Sequence, residues 1–134
     1  MLKQLSIFAE NKKGVMHTVT DILQRENINI LGSVTNDSAE YGIIRMVVSD
    51  SERAVAAITG EGFICKLTDV LGIEVKDEVG NLNHLLEDFL ESNINIDYLY
   101  LSFNRDTGRP IMVLHVEDIM EVEACLKSKG YISL

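Results

Sequence analysis

The chain has 134 residues, 46% of them hydrophobic, and 12 Lys and Arg stand against 21 Asp and Glu for a formal net charge of −9. That apolar share supports a real core in one medium domain or two small ones, while the acidic surplus repels phosphate backbones and sets duplex nucleic acid aside as an expected partner. No apolar run approaches the ~20 residues of a membrane helix and the opening MLKQLSIFAE has no signal-peptide core, so no membrane partner is expected and the expected location is the cytoplasm.

Leu2–Glu10 alternates, with Leu5, Ile7 and Ala9 on one face, and predicts a strand. Asn11-Lys12-Lys13-Gly14 follows as a loop. Val15, Met16, Val19, Ile22 and Leu23 then fall on one helical stripe, and Asn27 ends that helix. Ile28–Thr35 predicts a strand, Asn36–Glu40 a polar turn and Tyr41–Ser49 another strand. Asp50 or Ser51 can cap a second helix through Ile58, because a short polar side chain accepts from the unpaired first-turn amides. Gly60 and Gly62 stop it, and Phe63–Thr68 predicts a closing strand.

The second half repeats this order. Val70–Val75 predicts a strand and Asp77–Gly80 a loop. Leu82, Leu85, Leu86 and Phe89 form a helical stripe. Ile96–Asn104 and Ile111–Val116 predict strands around a turn at Arg105–Arg109. Asp118 is placed to cap a helix through Lys127, Gly130 ends it, and Tyr131–Leu134 closes the chain as a short strand.

The tetrapeptide Asn-Ile-Asn-Ile occurs at 27–30 and again at 93–96. At that offset of 66 residues (93 − 27), Gly14 falls on Gly80, Met16 on Leu82, Val19 on Leu85 and Leu23 on Phe89. Near the ends of the copies the offset is 68, with Gly62 on Gly130 and Phe63 on Tyr131. The two extra residues are most simply placed in the turn NRDTGRP, where surface insertions are tolerated. An internal repeat of this kind is the signature of a duplicated unit. The expected fold class is therefore α+β: two tandem ferredoxin-like βαββαβ units, residues 1–68 and 69–134, each an antiparallel sheet with its helices on one face. Thr68-Asp69 carries no flexible linker, so the units are expected to pack rather than flex. The apolar strand Ile43–Val48 and the Tyr98/Tyr100 face give the sheets a second apolar side, from which a homodimer is expected.

Each copy joins its first strand to its first helix by a short loop with a small acid or amide and then Gly three residues later: Asn11 with Gly14, and Asp77 with Gly80. A helix start exposes unpaired N–H groups and the positive end of the dipole, a seat for a carboxylate, and Asn or Asp can accept from an ammonium. Together these match an α-amino acid. The same residues also make an ordinary turn in which Gly supplies φ > 0. Both readings stand on the residues alone.

The stretches ENKKGVMHTVTDILQRENINILG and VKDEVGNLNHLLEDFLESNINIDYLY resemble ACT domains, with their Asp/Asn-x-x-Gly-x-Leu/Met loop, amphipathic helix and Asn-Ile strand entry, and the whole chain resembles a tandem ACT-domain protein. The resemblance implies that a free amino acid binds where the loop of one domain faces the early second strand of its neighbour. One site would use Asn11, Gly14, Val15 and Met16 with Asp97, Tyr98 and Leu99. The other would use Asp77, Gly80, Asn81 and Leu82 with Leu31, Gly32 and Ser33. In place of the Pro common before the family's Gly stand Lys13 and Val79.

No other chemistry assembles from the sequence. His17, His84 and His115 are scattered without metal-ligand spacing. There is no phosphate loop or nucleophile elbow. Cys65 and Cys125 form no CxxC and are expected as buried thiols. The expected function is thus a non-catalytic amino-acid sensor, without cofactor or metal, that acts on itself or on a regulated enzyme or other protein chain. The alternatives are a small enzyme on a ferredoxin-like scaffold, with Asp77, His84 or His115 as acid–base groups, and a dimerisation module without ligand.

Overall fold

The computed structural model describes residues 1–10, 12–37 and 41–134. The expected ligand residue Asn11 and residues 38–40 of the expected turn lie outside them. The chain forms two compact units, Lys3–Thr68 and Asp69–Leu134, the latter joined by Met1–Leu2.

The unit of Lys3–Thr68 is built from β1 (Leu2–Glu10), α1 (Val15–Arg25), β2 (Ile30–Asp37), β3 (Tyr41–Val48), α2 (Ser51–Gly60) and the first half of β4 (Ile64–Glu74). Its strand order is β2-β3-β1-β4, and β3 runs antiparallel to both β1 and β2. The helices cover a core of Leu5, Ile7, Val19, Ile22, Leu23, Ile44, Met46 and Ile58, the set the period-2 and period-3.6 patterns select. The unit of Asp69–Leu134 repeats this with the second half of β4, α3 (Asn81–Glu91), β5 (Tyr98–Phe103), β6 (Pro110–His115), α4 (Ile119–Ser128) and β7 (Ile132–Ser133). Here β5 pairs with β6, β6 with β4, and β7 with β4, all antiparallel. Leu71, Ile73, Leu85, Phe89, Leu114 and Leu126 fill its core. Both units are therefore α+β with the split βαβ order of a ferredoxin-like fold.

Several expectations are corrected. The two strands expected on either side of Thr68 are one strand, β4, because nothing in Ile64–Glu74 forces a turn. Gly72 continues it with ordinary φ, and the place of its missing Cβ is taken by Leu2, whose Cδ1 would lie 2.5 Å away. The strands β2 and β5 begin two residues later than expected, at Ile30 and Tyr98. Met16 and Leu86 stand on the flank of their helical stripes and are exposed rather than in the core. Asp50 caps α2 through Oδ1, accepting from the Arg53 amide at 3.2 Å, but Asp118 makes no side-chain cap on α4. Tyr100 and Val47 are 6% and 7% exposed. They are already buried within the chain, so they no longer argue for a face open to a second copy.

The repeated Asn-Ile-Asn-Ile has a local cause. Glu26 and Ser92 cap α1 and α3 at their C-termini, and the next residue in each, Asn27 and Asn93, is left-handed at φ 57° and 55°. The following Ile28 and Ile94 amides reach back to the Leu23 and Phe89 carbonyls at 2.9 Å, while the Asn amides bond Gln24 and Leu90. This is the Schellman arrangement, in which Asn is the second choice after Gly. The second helices end the same way on Gly62 and Gly130, φ 94° and 92°, with Phe63 and Tyr131 bonding back to Ile58 and Leu126.

Candidate functional site

Gly14 and Gly80 are the N-caps of α1 and α3, each at φ 87°. A Cβ built at either would meet nothing within 4 Å. The glycines are thus required by the left-handed backbone of the loop and not by a neighbouring protein group. Glycine has no side chain to offer as a cap, and neither helix start has a side-chain cap, while the first amide of each, Val15 and Asn81, bonds back to the Lys12 and Glu78 carbonyls at 3.3 Å.

In the loop before α1, Lys12 is held by Glu10, Nζ to Oε2 at 2.6 Å. That hydrogen bond and the charge behind it raise the Lys12 ammonium above its ordinary value. The pair offsets the positive field that Lys12 would otherwise lend the loop. Val15 is half-buried against the core. Met16 is exposed, and its Sδ accepts from Thr35 Oγ1 of β2 at 3.6 Å. In the loop before α3, the Asn81 amide donates to the Lys76 carbonyl at 2.8 Å, and its backbone N–H bonds Glu78 at 3.3 Å. The Asn81 side chain therefore braces the loop, and its backbone N–H, one of those expected to seat a carboxylate, is bonded to Glu78. Asp77 is exposed, and Leu82 packs half-buried on the core.

A groove of about 860 Å³ runs past this loop, lined by Lys76, Glu78, Gly80, Asn81, His84, Arg109, Lys129 and Tyr131 among others. It takes in Gly80 and Asn81 but not Asp77 or Leu82. Arg109 and Lys129 reach it from the β5–β6 hairpin and the end of α4, and no local pattern in the sequence marked them. Here Tyr131 donates to Asp88, and Lys129 stands 3.9 Å from the same carboxylate. Burial, then the bond to Asp88, pushes the Tyr131 phenol up to about 12.

Of the strand residues, Leu31 sits at a register shift in the pairing of β2 with β3, between Ile30 and Gly32. Gly32 is half-buried and Ser33 exposed. Asp97 precedes β5, and its carboxylate lies 2.8 Å from His115 Nδ1. Tyr98 stacks on that imidazole, ring centroids 5.1 Å apart and planes within 7°. Leu99 is half-buried over the core. Asp97 also lines a second cavity, of about 350 Å³, with Asn93, Asn95, Glu117, Asp118 and Glu121. Thus Asp97 is not in the groove of Gly80 and Asn81. The Asp97–His115–Tyr98 cluster was invisible in sequence, since 18 residues separate its acid from its base.

Among the described residues, no group of three or more His, Cys, Asp or Glu could hold a metal ion. Cys65 and Cys125 are both unpaired and half-buried. Burial pushes the Cys65 thiol up to about 11, which suppresses the thiolate a nucleophile needs. Among the described residues, no helix is long and apolar enough to cross a membrane.

Two units of split βαβ order, each with a left-handed glycine at the first helix start, define a class. Residues 1–128 match the family described as ACT domain pair. The chain belongs to that family. Its fold superposes on the crystal structure of protein BT0572 from Bacteroides thetaiotaomicron with a TM-score of 0.90 at 33% identity, covering 99% of this chain and 91% of that one. It is similar in fold to the regulatory subunit of aspartate kinase from Thermus thermophilus in its ligand-free form, with a TM-score of 0.69 and 14% identity over 96% of this chain and 90% of that one. The same subunit from Thermus flavus gives a TM-score of 0.66 and 15% identity over 93% and 88%. Curated protein sequences give no match.

Proposed function

We propose that this ACT domain pair is a non-catalytic regulatory protein that binds a free α-amino acid and, through it, controls a separate protein chain. The observation that carries this reading is the duplicated helix start: Gly14 and Gly80 share one left-handed conformation at the loop where the family resemblance puts its ligand. The ligand carboxylate is taken by the first-turn amides of α1 or α3, near Gly14 to Met16 or Gly80 to Leu82. The ammonium is taken by Asn11 or Asp77, with Leu31 to Ser33 and Asp97 to Leu99 carried over from the resemblance as further contacts.

The structural environment supports the loop of Gly80 over that of Gly14. It borders the larger groove, Asp77 is exposed, and a full charge pairs better with an ammonium than a neutral amide does. The test is a thermal-shift screen with the twenty amino acids, followed by calorimetry on any that respond. A ligand that binds only the folded chain at 100 times its Kd stabilises it by about 2.7 kcal/mol. The expected result is one or a few responders, recovered unchanged after incubation. No binding at millimolar concentration would overturn the reading, and chemical turnover of the bound amino acid would replace it with an enzyme.

A further inference from the structure

The lining of the groove beside Gly80 differs in charge from the matching positions of the first copy. With the offset of 66 before the β5–β6 hairpin and 68 after it, Lys76, Arg109 and Lys129 stand where the first copy has Glu10, Tyr41 and Glu61. Two acids and no base become three bases. Asp88 and Tyr131 stand where the first copy has Ile22 and Phe63. There Ile22 is in the apolar core and Phe63 packs against it. The first copy folds without an acid–phenol bond at this place, and a polar pair in place of an apolar contact brings no reliable gain in stability. Both changes fall on the lining of one groove.

Most acids of that groove are held by the chain itself. Glu74 Oε1 accepts from Asn104 Nδ2 at 2.8 Å and from Thr107 Oγ1 at 3.2 Å. Asp88 accepts from Tyr131 and faces Lys129 at 3.9 Å. Glu87 accepts from Asn83 Nδ2 at 3.2 Å. Glu78, next to Asp77, is the exception. Lys76 and Arg109 are different: neither side chain bonds any described residue. Arg109 is nonetheless fixed in place. Asn104, clamped on Glu74, caps the hairpin by accepting from the Asp106 and Thr107 amides at 2.9 and 3.2 Å, and its own amide donates to the Arg109 carbonyl at 2.9 Å. At the other side of the groove, the Asn81 amide is bonded to Glu78 and that of His84 to the Gly80 carbonyl. The first-turn amides of Leu82 and Asn83 are left for a ligand.

We propose that the ligand is a dicarboxylic amino acid, with its side-chain carboxylate on Arg109 and Lys76. A guanidinium fork meets a carboxylate in two parallel bonds, which favours Arg109 as the selecting residue. The α-carboxylate lies on the open amides of α3, and the ammonium lies beside Asp77 and Glu78. This inference rests on the amino-acid reading above and adds the side-chain chemistry of the ligand and the residues that select it. The loop of Gly14, with Glu10 and Tyr41 at the places of the two cations, lacks that selection.

The test is calorimetry of the whole chain with aspartate, glutamate, asparagine, glutamine and the other common amino acids. One of the two acids should bind about 10- to 100-fold more tightly than its own amide, the range for a hydrogen bond to a charged group. Arg109→Gln should bring acid and amide within a few-fold of each other. The melting temperature should not change, because the guanidinium bonds no described residue. Arg109→Lys should keep part of the preference. Arg105→Gln, which removes the same charge from the same hairpin outside the groove lining, should keep all of it. Tighter binding of a neutral or basic amino acid than of either acid overturns the proposal and leaves the amino-acid reading standing. So does a preference for the acid that survives Arg109→Gln combined with Lys76→Gln. Failure of every amino acid to bind overturns both.

Discussion

Asn27 and Asn93 hold the same left-handed backbone, at φ 57° and 55°, one helix end apart in each copy. The side chain that tolerates this conformation is interchangeable with Gly and not with Ala. Asn93→Ala should cost about 1 kcal/mol in urea denaturation, while Asn93→Gly should leave the midpoint within a few tenths of a kcal/mol. Equal effects of the two would mean that the amide side chain, and not the torsion, is what the position uses.

Gly60 and Gly62 offer the opposite comparison two residues apart. Gly60 is inside α2, has ordinary φ and open space at its Cβ position, whereas Gly62 is at φ 94°. Gly60→Ala should stabilise by about 0.5–1 kcal/mol. Gly62→Ala should destabilise by about 1–2 kcal/mol. Thermal melts of the two variants side by side check both signs.

The left-handed φ of Gly80 bears on the ligand test. A β-carbon there strains the loop whether or not a ligand approaches, so loss of binding in Gly80→Ala alone decides nothing. Gly62→Ala carries the same kind of strain, at φ 94°, outside the groove of Gly80. The two should lose similar stability, on the order of 1–2 kcal/mol, but only Gly80→Ala should lose amino-acid affinity in calorimetry.

Gly72→Ala tests packing rather than torsion. Its new methyl would meet Leu2 Cδ1 at 2.5 Å, an overpacking expected to cost about 1–2 kcal/mol unless the leucine moves. Leu2→Ala opens the space. In a double-mutant cycle the pair should couple, with the double variant more stable than the sum of the single losses implies.

Tyr131 gives a pH dependence with a definite sign. Burial and the bond to Asp88 hold its proton in the folded chain up to about 12, against 10.0 ordinarily. The folded pKa is the higher, so the contribution is complete below pH 10 and is lost as pH rises from 10 toward 12. Tyr131→Phe should lower stability at pH 8 and flatten the decline between pH 10 and 12 relative to the parent.

The βαββαβ order was legible because hydrophobic periodicity and the glycine and asparagine stops agree at every helix. Leu85 and Phe89 read as core and are core. The flank positions Met16 and Leu86 read the same way and are exposed, because a stripe in sequence is wider than the part of a helix that meets the sheet. The two strands expected on either side of Thr68 are one, since a missing turn signal leaves a strand free to continue. In the candidate site, the loop glycines were legible from the repeat. Arg109, Lys129 and the Asp97–His115 pair were not, as each depends on which distant segments the fold sets side by side.

The N-terminal amine of Met1 donates to the Leu134 carbonyl, and it also lies 3.5 Å from Glu123. The two ends of these 134 residues thus meet on the same unit. A permuted chain, closed by a short peptide from Leu134 to Met1 and opened in the exposed hairpin at Thr107-Gly108, would trace the same path through both copies. The order of the elements along the gene could be rotated in this way without moving a strand.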